Sequence, residues 1–306
     1  MTLLKEILAA TDFSSSSIDA VARGFLLAKT VESHMTVVHA VGLDAMTSLR
    51  ALLGEKTETL AQKVTDEAHQ QLLDLVADPA RNRGLSARVR LEPGLASVAI
   101  PNYAETISAD LVLVGAHGSG FFQRMLLGST ASRLLRKSKC PVLIVKQPAL
   151  KDYQRVLIAV DFSPGSEIAI RLVRELAPNA DIVLIHIFEV PFENKMQFAG
   201  VSEDIINQHR IEAREHALNQ LHELAKSTGL STSDYTGLVV YGDTTRQILD
   251  HEEKFNCDLI ATGKHGFHVT EELLLGSVTK RLLAESESDV LVVVDKRGPV
   301  ISGNSS

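Results

Sequence analysis

The chain repeats itself, and that fact limits its architecture more than any other. Asp110-Leu-Val-Leu-Val-Gly-Ala-His-Gly118 returns as Asp258-Leu-Ile-Ala-Thr-Gly-Lys-His-Gly266, 148 residues further on, and nine residues after each the chain reads Gly128-Ser129 and Gly276-Ser277. Upstream, Ile7-Leu-Ala-Ala-Thr-Asp-Phe-Ser14 matches Val156-Leu-Ile-Ala-Val-Asp-Phe-Ser163, and Met35-Thr-Val-Val-His-Ala40 matches Ile182-Val-Leu-Ile-His-Ile187. Gly94 corresponds to Gly242, and β-branched runs close each copy at Val142–Val145 and Val290–Val294. So long a period exceeds that of a solenoid repeat. The 306 residues therefore read as two copies of one domain, each of a size that buries its own core. The expected domains are 1–148 and 152–296, joined by the polar connector Gln147–Asp152, with 297–306 as a flexible Gly- and Ser-containing tail.

Within each copy, short apolar runs such as Val156-Leu-Ile-Ala-Val160 suit strands covered on both faces. Between them lie helical periods: Leu60, Val64, Ala68 and Leu72 share one face, as do Ala213, Ala217, Leu221 and Ala225. Strands alternating with helices predict an α/β fold with an open, parallel, doubly wound sheet in each copy. Such sheets bind ligands in the crevice at the carboxyl ends of their strands. That places Asp12 or Asp161, after the first strand, in one cleft with the glycine loop after the fourth. Ser129 reads as the N-cap of a helix from Thr130 to Ser138, and a helix start with free N–H groups and glycine beside it suits a phosphate. Gly115 and Gly118 then either let the loop pass under phosphates or simply make turns; spacing alone leaves both open.

Other chemistry is poorly represented. A formal net charge of -7 argues against nucleic acid or anionic membrane as partner, and Arg133, Arg136, Lys137 and Lys139 read as the basic last turn of a helix. Two unpaired cysteines, Cys140 and Cys257, point to a reducing compartment. No apolar run reaches the length of a membrane span and no signal peptide is visible. The loop lacks the Gly-Lys-Ser/Thr ending of a P-loop, and the serines at 14–17, 163 and 166 read as helix starts, not as a nucleophile elbow. His117 and His265 either reach a phosphate oxygen or bond their own loop backbone. His265 and His268 lack a second pair for zinc, and His39 and His186 read as satisfied core-edge residues.

The Gly-two-residues-Gly-nine-residues-Gly-Ser pattern, present twice with Ala-Thr-Asp12 or Ala-Val-Asp161 near the start, resembles the universal stress protein family in its tandem form, over nearly the whole chain. The resemblance implies an adenine nucleotide alpha hydrolase-like fold: a five-stranded parallel sheet of order 3-2-1-4-5 in each half. It also implies that the halves dock through their last strands as an internal pseudo-dimer, with a further homodimer left open. Carried over by position, the binding residues are Asp12, Ala40, Gly115, His117, Gly118, Gly128, Ser129 and Thr130, and then Asp161, Ile187, Gly263, His265, Gly266, Gly276 and Ser277. The implied ligand is ATP, or ADP or AMP, with Mg²⁺ as its companion, in a cytoplasmic regulator of the stress response that acts on an unidentified protein partner. Slow hydrolysis, or phosphorylation of Ser129 or Ser277, is the most chemistry expected. A nucleotide-free interaction protein is the alternative. Glu271 and Glu272 in the second loop, against Gln123 and Arg124 in the first, make the first half the expected better site.

Overall fold

The computed structural model describes residues 4–42, 57–117, 128–190, 193–264 and 275–294. Its first half runs β1 (Glu6–Ala10), α1 (Ser15–Val31), β2 (His34–Val41), α2 (Thr57–Ala77), α3 (Pro79–Asn82), β3 (Arg88–Pro93), α4 (Ala96–Thr106), β4 (Leu111–Gly115), α5 (Ser129–Lys137) and β5 (Val142–Val145). The second half runs β6 (Arg155–Ala159), α6 (Pro164–Leu176), β7 (Asp181–Phe188), α7 (Glu193–Phe198), α8 (Glu203–Ser227), β8 (Tyr235–Tyr241), α9 (Thr244–Phe255), β9 (Leu259–Gly263), α10 (Ser277–Glu285) and β10 (Asp289–Val293). The expected tail, 297–306, lies outside the described residues, as do Gly118, His265, Gly266 and the stretch holding Glu271 and Glu272.

One ten-stranded sheet runs through the molecule in the order β3-β2-β1-β4-β5-β10-β9-β6-β7-β8. Each half thus has the expected order 3-2-1-4-5. Pairing is parallel within each half, and the two halves meet where β5 and β10 pair antiparallel, Leu143 opposite Leu291. Antiparallel pairing of equivalent strands is what an internal two-fold produces, and it removes two sheet edges that would otherwise stay open. The central strands are buried on both faces: every residue of β1, β5 and β10 is buried, as a parallel sheet clad by helices requires.

Helix boundaries follow local chemistry. The Ser14 hydroxyl caps α1 by accepting the Ser17 N–H, and Asp243 caps α9 by accepting the Arg246 N–H at 2.9 Å. On α8, Ala217, Leu221 and Ala225 are buried as their spacing predicts. The α2 stripe is shorter than expected. Ala68 and Leu72 are buried but Val64 is 44% exposed, and the Leu60 side chain lies outside what is described. A helix of 21 residues is about 31 Å long, and it overshoots the 6-residue β3, which spans about 20 Å.

The junction between halves is polar at its heart. Asp289, fully buried, accepts the N–H groups of Lys146 (2.7 Å) and Gln147 (3.0 Å) and the Tyr153 hydroxyl (2.6 Å). Its Oδ2 lies 3.3 Å from Arg23 Nε of α1, outside hydrogen-bonding alignment. The Arg23 guanidinium stacks on the Tyr153 ring at 4.2 Å and donates to Lys151 O at 2.8 Å. Burial pushes the Asp289 carboxyl up, with Arg23 opposing, and holds the Tyr153 phenol well above its ordinary value.

Lys146 lies beside this group, its Nζ donating to Ser286 O at 2.5 Å and Leu282 O at 3.4 Å. Desolvation lowers its pKa from 10.5 to about 8. Relative to the unfolded chain the folded state favours the neutral amine, and stability contributed by this group rises as pH climbs from about 8 to 10.5. Urea unfolding of the wild type and of Lys146→Met across pH 7 to 10 is expected to show the wild type gaining on the variant by up to ~3 kcal/mol. A constant difference across that range would contradict the assignment.

Candidate functional site

At the carboxyl ends of β1, β2 and β4, where the winding of the first half reverses, lies a cavity of about 400 Å³. Its lining includes Asp12, Ala40, Gly115, His117, Gly128, Ser129 and Thr130, so seven of the eight first-half residues singled out in the sequence share one cleft. The eighth, Gly118, is outside the described residues. Also lining it are Ala10, Thr11, Ser17, His39, Ala96, Ile100, Val114 and Ala131, which the sequence reading did not assign to the site. Two signals were available for these: His39-Ala40 recurs as His186-Ile187, and Ala96 and Ile100 follow the repeated Gly94 at helical spacing.

The helix start is one residue earlier than the sequence suggested. Gly128 is the N-cap, Ser129 is the first helical residue, and no side chain caps α5. The reason is backbone bonding: Gly128 N–H donates to Ala116 O at 2.9 Å, while Gly128 O accepts the Ser132 N–H at 2.9 Å and opens the helical ladder. The N–H groups of Ser129, Thr130 and Ala131 therefore precede the ladder, at a point where all three residues line the cavity. Ser129, whose hydroxyl is not used as a cap, is an exposed residue.

Gly115 has a different reason from the one its loop suggested. A Cβ placed there would lie 2.6 Å from the Ser16 carbonyl carbon and 2.7 Å from its oxygen. Close packing of α1 against the end of β4 demands glycine, whatever the ligand.

Asp12 and the first turn of α1 form the opposite wall. Asp12 Oδ1 accepts the Ser14 N–H (3.1 Å) and hydroxyl (2.5 Å), and the Asp12 N–H donates to Ser17 Oγ at 3.2 Å. Asp12 is thus both a turn-former and a lining residue. Ser16 Oγ accepts the His117 N–H at 3.4 Å, which anchors the start of the glycine loop to α1. Phe13 takes φ 62°, a left-handed conformation that costs a bulky residue about 1–2 kcal/mol. Its ring rests against His39, centroids 4.6 Å apart. His39 Nδ1 must donate to Thr11 O at 2.8 Å, since a carbonyl only accepts.

The second half repeats this frame. Asp161 Oδ1 accepts the Ser163 N–H (3.0 Å) and the hydroxyls of Ser163 (2.5 Å) and Ser166 (2.8 Å). Phe162, at φ 60°, rests against His186, whose Nδ1 donates to Val160 O and whose pKa burial lowers. Ile187 ends β7 with Phe188, Gly263 ends β9, and Gly276 caps α10 with Ser277 as its first residue. The halves differ at the helix start. Where the first presents Thr130 and Ala131, the second has Val278 and Thr279, and the Thr279 hydroxyl is spent on Gly263 O at 2.9 Å.

The described residues offer little for covalent chemistry. Cys140 and Cys257 are free thiols, Cys257 pushed up to about 12 by burial and Cys140 also raised, so neither is a ready nucleophile. No group of three or more His, Cys, Asp or Glu among the described residues could hold a metal ion, and no described helix is long and apolar enough to cross a membrane.

Comparison with known proteins agrees with the geometry. The model of the universal stress protein family matches residues 4–146 and again 152–294. A universal stress protein of Methanocaldococcus jannaschii is 30% identical over 146 residues, 48% of this chain and 84% of that protein. One of Mycobacterium bovis is 25% identical over 264 residues, 84% of this chain and 86% of its own length. Among solved structures, a universal stress protein from Archaeoglobus fulgidus superposes with a TM-score of 0.64 at 21% identity, covering 94% of this chain and 98% of its own. The chain belongs to the universal stress protein family and carries that family's domain twice.

Proposed function

We propose that the protein is an ATP-binding regulator of a stress response, working in the cytoplasm without efficient turnover, with its first half as the principal nucleotide site. The observation that carries this is the start of α5: three N–H groups ahead of the helical ladder, with the dipole behind them, at the wall of a 400 Å³ cavity. Three hydrogen bonds to charged oxygens, at ~1.5–3 kcal/mol each, approach the ~8 kcal/mol of a micromolar complex. Gly128, Ser129 and Thr130 would hold the phosphates. Asp12 and Ala40, across the cleft at the ends of β1 and β2, would flank the nucleoside. Among the described residues of the lining Asp12 is the one carboxylate, so Mg²⁺ would be carried chiefly on the phosphates.

His117, at the base of the loop with its N–H donated to Ser16 Oγ, would approach a phosphate. The equivalent residues Asp161, Ile187, Gly263, Gly276 and Ser277 would form a second, weaker site, because Val278 and the committed Thr279 leave fewer free hydroxyls at the start of α10. ADP and AMP would enter the same cleft, since backbone N–H groups read charge and not the nucleotide's length.

Purified protein denatured by heat is expected to release an adenine nucleotide, identified by chromatography. Protein stripped of it is expected to be stabilised by ~2.7 kcal/mol at an ATP concentration one hundred times Kd. Protein that carries no nucleotide and gains no stability from millimolar ATP would instead support a nucleotide-free interaction protein.

A further inference from the structure

Lys264 is an unusual residue to find at the base of the second glycine loop. It is 4% exposed, and burying an ammonium is costly unless its charge is satisfied. Two acceptors of its ammonium lie in the other half: Nζ donates to Arg136 O at 2.8 Å and Ser138 O at 3.3 Å, the carbonyls that end α5. Those carbonyls are the negative end of the helix dipole whose positive end faces the first cleft. The main chain of the same residue serves the second cleft, because Lys264 O accepts the N–H of Gly276, the N-cap of α10, at 3.0 Å. One residue thus ties the start of one candidate phosphate helix to the end of the other.

The first half has Ala116 at this position. Its carbonyl makes the matching bond to Gly128, but an alanine side chain has no donor to offer the other half. Lys146 of the first half returns a contact from a different position, donating to Leu282 O and Ser286 O at the end of α10. The two phosphate helices are therefore cross-clamped at their C-terminal ends, each by a lysine of the opposite half.

We propose that Lys264 is a positioning residue that couples the two clefts. An anion drawn to the start of α10 pulls on the Gly276–Lys264 backbone bond, moves the Lys264 stem, and changes how firmly the end of α5 is held. This rests on the nucleotide reading of the clefts, but its mechanical core does not need a nucleotide to be tested.

Four proteins decide it: wild type, Ser277→Glu, Lys264→Met and the double variant. Glutamate at the first position of α10 suits the dipole and supplies a fixed negative charge where a phosphate would sit. Hydrogen exchange of residues 129–139 without ligand is expected to change about 3-fold or more on Ser277→Glu when Lys264 is present, and not in the Lys264→Met background. With ATP added, the first-cleft Kd is expected to shift about 5-fold between the same pairs, and not in the Lys264→Met background. Equal responses in both backgrounds, or none in either, would overturn the coupling. Failure of ATP to bind any of the four would overturn the nucleotide reading alone, leaving the exchange data to judge Lys264. Should Lys264→Met fail to fold, Lys264→Gln, which keeps one donor and loses the charge, takes its place, with the coupling expected to fall and not vanish; full coupling in it would overturn the proposal.

Discussion

Gly115→Val is expected to unfold the first half, not merely to empty its cleft. A valine Cβ at 2.6 Å from the Ser16 carbonyl carbon has nowhere to go, because the obstacle is backbone at the start of α1. Overpacking of this kind costs ~3 kcal/mol or more, and here it forces α1 from β4, against which Ile7, Phe25 and Leu113 complete the core. Circular dichroism and urea unfolding of the intact chain check it. Ser16→Gly is not expected to rescue the variant, although the second half carries Gly165 at the matching position, because the carbonyl carbon and oxygen that block the space remain. A Gly115→Val protein with wild-type stability and only lost ligand binding would contradict this account of the residue.

Asp289→Ala is expected to cost ~3–5 kcal/mol. The substitution leaves Arg23, with a 4% exposed side chain, charged and without the carboxylate 3.3 Å from its Nε, and strips acceptors from the Lys146 and Gln147 N–H groups and the Tyr153 hydroxyl. These groups come from both halves and the connector, so unfolding should lose cooperativity as well as midpoint. Asp289→Asn keeps one carbonyl acceptor and is expected to lose less. An alanine variant within ~0.5 kcal/mol of the wild type would show that the network is not what holds the halves together.

Much of this molecule could be read before its structure was seen, for physical reasons that are easy to name. Strands buried on both faces leave an unbroken apolar record, as in Val142-Leu-Ile-Val145, and the internal repeat doubled every such signal. The pairing of β5 with β10 was implied by the family resemblance, with the two β-branched runs at equivalent ends marking which strands would meet. Gly128 and Gly276, the residues proposed to act through backbone, were visible because glycine marks close approach. Their roles were harder to assign. The cap at Gly128 was displaced to Ser129 because serine is the stronger capping residue and the bond from Gly128 to Ala116 leaves no trace in the sequence. For Gly115 the sequence left phosphate approach and a turn both open, and neither reading could show that Ser16, about a hundred positions away in sequence, is the neighbour that requires glycine there. The Lys264, Lys146 and Asp289 contacts cross between halves at positions the repeat does not share, so comparing the two copies could not reveal them.

Binding of ATP phosphates at the start of α5, as proposed above, is decided by a calorimetric titration of the intact protein beside Ser129→Glu. Glutamate at that position favours the helix dipole, so the fold should hold while the negative charge repels phosphate. Saturable ATP binding near micromolar in the wild type, weakened at least about 10-fold in the variant, ~1.4 kcal/mol, is the predicted result. Binding of equal strength in both, or no binding in a nucleotide-free wild type, would contradict it.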